Sequence, residues 1–159
     1  MSKFDLAERP NCIPWPPVIY VLVVVAAFVL NLISPLDFLR WPTLRFIGGA
    51  ICAVGVTFDL WAGLTLWRQH TNILPHRAAD KLMTGGPFSL SRNPIYVANT
   101  IALIGLGLAL ANIWLLAGAF VAAIFVHDLA ILREEQHLAQ KFGASWLDYA
   151  KKVPRWLIR

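Results

Sequence analysis

The chain has 159 residues, of which 58% are hydrophobic and 14% charged, with a mean hydropathy of +0.60. Soluble domains carry about 25% charged residues, so this composition excludes an ordinary soluble core and points to the bilayer. The net charge of +5 does not indicate nucleic acid, because the positives flank apolar runs, where a membrane surface accounts for them.

The first apolar run covers Pro16–Ile33. It follows Lys3 and Arg9, but no small-residue cleavage site comes after it, so it is expected to be a retained helix and not a signal peptide. Pro16 and Pro17 suit a helix start, where a missing N–H does no harm. Cys12 and Cys52 form no disulfide framework and no metal-type spacing. The second run covers Leu44–Trp67, with Asp59 inside it and Trp41 before it as an interfacial anchor. A polar loop follows, carrying His70, His76, Arg77 and Asp80.

Residues 81–96 hold the densest signal. Gly85-Gly86-Pro87 marks a tight turn with exposed backbone N–H groups. Asn93-Pro94 reads as an N-cap and first helical residue, and a helix start is a natural seat for an anionic group. Arg92 stands beside it.

The third run, Ile95–Ala111, and the fourth, Ile113–Leu132, are separated by Asn112 alone. They are expected to form a tight hairpin. Each run is near the roughly 20 residues needed to cross a bilayer core. Gly105 and Gly107 allow close helix packing. His127 and Asp128 are buried ionisable candidates, expected to join Asp59 in a polar cluster beneath the mouth.

Glu134 and Glu135 follow the fourth run. Read as the helix C-terminus, this position favours cations by about 0.3–1 kcal/mol, so two acids there break a local rule and suggest a site. Traversing the hairpin at about 1.5 Å per residue returns the chain to nearly its starting depth. Arg92 and Tyr96 at one foot then meet Glu134 and Glu135 at the other. An arginine, a helix start, a tyrosine and two carboxylates suit a zwitterionic, ribose-bearing ligand.

Beyond Leu132, Leu138, Phe142, Trp146, Tyr149, Val153, Trp156 and Leu157 alternate with Lys and Arg. This reads as an amphipathic segment on the membrane interface, interrupted at Gly143 and Pro154. With four spans, the termini and the loop share one side and hold 12 of the 14 basic residues; Arg40 and Arg45 lie opposite. The bias places the termini in the cytoplasm, as in a bacterial inner membrane. The fold class expected is all-α and polytopic, with about four transmembrane helices, a cytoplasmic cofactor pocket and an interfacial C-terminal helix.

The run Leu82-x-Thr84-x-Gly86-Pro87-Phe88, Ser91-Arg92-Asn93-Pro94-x-Tyr96, Glu134-Glu135-x-x-Leu138, Phe142-Gly143, Trp146, Tyr149 and Val153-Pro154-Arg155-Trp156 resembles the isoprenylcysteine carboxyl methyltransferase and phospholipid methyltransferase superfamily over roughly residues 70–157. The resemblance implies a single membrane-embedded methyltransferase domain over 1–159, with two N-terminal spans at 16–67 and a cofactor-binding core at 68–159. It implies S-adenosyl-L-methionine as cofactor, held by Asp80, Leu82, Thr84, Gly85 and Gly86 in the loop, by Arg92, Asn93, Pro94 and Tyr96 at the helix start, and by Glu134 and Glu135. Arg92 and Glu134 are the expected catalytic pair, and no metal is expected.

Asn93 and Asp80 stand where the family often has His, and Ala98 where Gly is common. The acceptor the resemblance implies is a lipophilic or lipidated molecule: a prenylcysteine-like carboxylate, which is already ionised, a phospholipid amine, or another small lipophile. An amine must lose a proton, which Glu134 or His137 could accept. The rivals are an NADPH-dependent membrane reductase and a non-enzymatic four-helix protein.

Overall fold

The computed structural model describes residues 15–35, 41–69 and 81–157. Helix α1 spans Trp15–Ile33 and α2 spans Pro42–Arg68. A short 3-10 turn, Gly86–Ser89, precedes α3, Pro94–Ala109. Helix α4, Ile113–Val126, continues through a π turn at His127–Ile131 into α5, Leu132–Phe142; α6 follows at Ala144–Lys152. Three helical stretches are long and apolar enough to cross a membrane: Trp15–Ile33, Pro42–Arg68 and the continuous Ile113–Phe142, with Pro94–Ala109 shorter. The chain is an all-α polytopic membrane protein. Among the described residues there is no strand.

The helices pack in the order α2, α3, α4, α1. Lipid tails are as apolar as leucine, so close backbone approach replaces hydrophobic burial as the cause of packing between spans. The α2–α3 contact shows this. A Cβ on Gly48 would collide with Ala109 and Leu108, one on Gly55 with Ala102, and one on Gly105 with Cys52. These residues recur three or four apart on each helix, one shared face. Helix α4 meets α1 through Leu115, Ala119, Ala122 and Val126 against Ile19 and Ala27.

The hairpin between α3 and α4 is pinned by Asn112, which is 1% exposed. Its Oδ1 accepts from the Trp114 and Leu115 amides at 3.0 and 3.2 Å, and its Nδ2 donates to the Ala27 carbonyl at 3.4 Å. One side chain thus caps α4 and ties the hairpin to α1.

The fourth span does not end at Leu132. The helix runs unbroken for 30 residues, about 45 Å at about 1.5 Å per residue, against a bilayer core of about 30 Å. Glu134 and Glu135 therefore lie inside a helix, in the first turn of α5, and the helix-end dipole argument does not apply to them. What places them is length: Glu134 is about 32 Å along the helix, where it leaves the hydrocarbon.

Candidate functional site

The site is built where α3 begins and the α4–α5 helix leaves the membrane. In the turn before α3, Gly86 sits at φ +60°, a region open to glycine and strained for most other residues. Pro87 is fully buried behind it. Thr84, Gly85 and Gly86 are exposed, whereas Leu82 packs on a cluster of Trp146, Tyr149 and Val153. Asp80 lies outside the described residues.

The C-terminal tail crosses this turn and fastens to it. The Arg92 amide donates to the Pro154 carbonyl at 2.9 Å. The Arg155 carbonyl accepts from Ser91 Oγ at 3.0 Å and Asn93 Nδ2 at 3.2 Å. Tyr149 donates its hydroxyl to the Phe88 carbonyl at 2.6 Å, and burial pushes that phenol above its ordinary range. Asn93 occupies the N-cap position of α3, but its side chain caps nothing there. It holds the tail instead, because the Arg155 carbonyl lies within its reach. Pro94 is buried as the first residue of α3. The apolar face of amphipathic α6, with Trp146 and Tyr149, covers the loop, while Leu147 and Leu157 stay exposed.

The two feet of the hairpin meet. The Tyr96 hydroxyl donates to Glu134 Oε1 at 2.8 Å. Arg92 Nη1 lies 3.3 Å from Glu135 Oε1, and its guanidinium stands 5.7 Å from the Trp146 ring centre, within cation–π range. Arg155 grips Glu135 with two bonds, Nε to Oε1 at 2.9 Å and Nη2 to Oε2 at 2.6 Å. That planar fork matches a carboxylate, and the hydrogen bond raises the Arg155 pKa further. Arg92 Nε is buried and has no hydrogen-bond partner among the described residues. A buried donor of that kind is costly unless something accepts from it.

Sequence reasoning passed over Arg155, Ser91, Trp146 and Tyr149 as parts of the site. All four belong to the motif run that carries the family resemblance, but none was counted among the cofactor-binding or catalytic residues. His137, expected as a possible proton acceptor, is 5% exposed. The expected single cluster of Asp59, His127 and Asp128 is divided. Asp59 lies within electrostatic reach of Tyr20, while His127 and Asp128 line a groove with Trp156. The cause is that Asp59 sits on α2, which packs on α3, whereas the groove is on α4. No group of three or more His, Cys, Asp or Glu able to hold a metal occurs among the described residues.

A family model described as phospholipid methyltransferase matches residues 44–145. The chain is 30% identical over 117 residues to the nickel-cobalt-cadmium resistance protein NccN of Alcaligenes xylosoxydans xylosoxydans, covering 74% of this chain and 49% of that protein. It is 29% identical over 117 residues to the cobalt-zinc-cadmium resistance protein CzcN of Cupriavidus metallidurans, covering 74% and 49%. It is 32% identical over 116 residues to the protein-S-isoprenylcysteine O-methyltransferase of Xenopus laevis, covering 72% and 40%. The chain spans half or less of the length of these curated relatives.

Proposed function

The chain belongs to the phospholipid methyltransferase family, and from that premise we propose that it is an S-adenosyl-L-methionine-dependent methyltransferase acting on a lipophilic acceptor in the membrane. The observation that carries the reading is the meeting of Arg92 with Glu135 and of Tyr96 with Glu134 across the hairpin. Residues 68–159 are the cofactor-binding core of this reading, and 1–159 one membrane-embedded domain. Positive charge around the mouth, from Arg68, Lys81 and Arg133 to Lys151 and Lys152, supports a cytoplasmic-side position in an inner membrane.

The donor set fits a methionine-bearing nucleoside. Arg92 Nε, buried and without a partner among the described residues, is the donor this reading assigns to an α-carboxylate. Glu134 retains acceptor capacity beyond its Tyr96 bond for an α-ammonium or ribose hydroxyls. Thr84, Gly85 and Gly86, exposed at the same mouth, supply backbone groups, and Leu82 supplies apolar contact. Arg155 and Asn93 act from behind, one fixing Glu135 and the other fixing the tail. Bound there, the cofactor supplies an electrophilic methyl group on a sulfonium. The protein's own part is positioning: aligning acceptor and methyl in a site screened from water. In this reading Arg92 and Glu134 act closest to that chemistry.

The test is thermal stabilisation of the detergent-purified protein by S-adenosyl-L-methionine, S-adenosylhomocysteine and NADPH in parallel. The first two should raise the melting temperature and NADPH should not. A response to NADPH alone rejects the proposal.

A further inference from the structure

Helix α4 turns one face to α1 through Leu115, Ala119, Ala122 and Val126 and leaves the opposite face bare. Phe120 and Ile124 on that face are 61% and 62% exposed. With Ala123, His127, Asp128 and Trp156 they line an open groove of about 270 Å³. Lipid tails satisfy the apolar part of such a face, but not Asp128. That carboxylate is exposed, about 22 Å along a membrane-crossing helix, and forms no ion pair with a described residue. An acid inside a membrane is costly and normally faces a partner.

A matching donor lies one residue away. Trp156 Nε1 donates to His127 Nδ1 at 3.4 Å, and the two rings lie 15° from parallel. An indole N–H only donates, so Nδ1 carries no proton and the neutral imidazole holds it on Nε2. His127 makes no other hydrogen bond to a described residue, and neighbours at i and i+1 on a helix do not face each other. His127 therefore cannot serve its own Asp128. Ala117, Phe120, Ile124 and His127 recur at intervals of three, four and three residues, the spacing of a seam between two parallel helices, with Asp128 on its flank. Two copies in one membrane share an orientation, so a two-fold axis between them runs along the membrane normal and each residue meets residues of its own depth. A side chain on the seam packs between the seam and flank residues of the facing helix, which sets His127 of each copy against Asp128 of the partner subunit. We propose that the chain forms a homodimer through this face of α4, closed by two reciprocal His127–Asp128 hydrogen bonds around a contact of Phe120 and Ile124. The small Ala117 lets the two backbones approach.

Disulfide cross-linking in isolated membranes tests the face. In a Cys12→Ser, Cys52→Ser background, Ala117→Cys lies on the seam, and Ala119→Cys, at a fully buried position, is the control. Copper-phenanthroline oxidation should give a covalent dimer with the first and none with the second. Energy transfer between donor- and acceptor-labelled copies of the full chain in phosphatidylcholine vesicles then reads the affinity. Asp128→Ala should weaken the dimer about tenfold, because each dimer loses two interhelical hydrogen bonds. Asp128→His alone should weaken it as well, whereas His127→Asp combined with Asp128→His rebuilds the pair and should recover the natural affinity, which a merely misfolded variant would not. A monomer in vesicles, equal cross-linking at both positions, or an Asp128→Ala chain that dimerises as tightly as the natural one overturns the inference. Arg92, Tyr96, Glu134 and Glu135 take no part in this face, so the outcome bears on the dimer and not on the methyltransferase reading.

Discussion

Glu135 is a carboxylate held by two arginines, and its environment divides their labour. Arg155 meets it with two short bonds, whereas Arg92 touches it at 3.3 Å and keeps Nε without a partner among the described residues. Arg155 is thus the structural partner and Arg92 the one with a donor to offer. Arg92→Lys keeps the charge but loses the guanidinium's further donors and its cation–π contact with Trp146. It should weaken S-adenosyl-L-methionine binding about tenfold or more, read by calorimetric titration, with little change in melting temperature. Arg155→Ala and Glu135→Gln should instead both destabilise the fold. A double-mutant cycle should give a coupling of about 1.5–3 kcal/mol; a coupling near zero would mean the fork contributes nothing. Tyr96→Phe leaves Glu134 without a donor and should cost about 1 kcal/mol by thermal denaturation.

At the scale of elements, the two contacts that set the geometry are small. Asn112 caps α4 and holds the turn, so Asn112→Ala should cost about 1–2 kcal/mol. It lies at the far end of the bundle from Arg92, so the cofactor response should survive; a lost response would show that hairpin register reaches the mouth. Gly105 admits α2 onto α3 at backbone contact. Gly105→Leu leaves no room for both helices and should lower the yield of folded protein in detergent, measured by gel filtration. The tail is a strap: α6 and residues 153–157 contact the loop through Pro154, Arg155 and Tyr149. Truncation after Phe142 should leave the spans helical by circular dichroism while abolishing stabilisation by S-adenosyl-L-methionine. Retained stabilisation would place the cofactor outside the strap.

For the whole molecule, the apolar runs made the architecture legible. A bilayer leaves few options for a stretch of that length, so α1, α2 and the hairpin follow from hydropathy and Asn112. Arg92, Tyr96, Glu134 and Glu135 come together because the chain folds back at Asn112 and the 30-residue helix passes the start of the 16-residue α3 before it ends. The reason first given for the acids was wrong, since Ile113–Phe142 runs on past Leu132. Periodicity could not reveal this: hydropathy records where a helix leaves lipid, and backbone hydrogen bonding continues in water.

The sequence by itself determined which segments are apolar enough to sit in lipid and which polar residues gather at one end of the hairpin, because both depend on local composition and helix rise. Only the tertiary structure decided which partner each polar side chain takes. Asn93 turned to the tail, Arg155 reached 20 residues back to Glu135, and Asp59 parted from Asp128. Those pairings are set by how α2, α3 and α4 rotate against each other and by where the tail crosses, and rotation about a helix axis under close packing is a property of the assembled bundle.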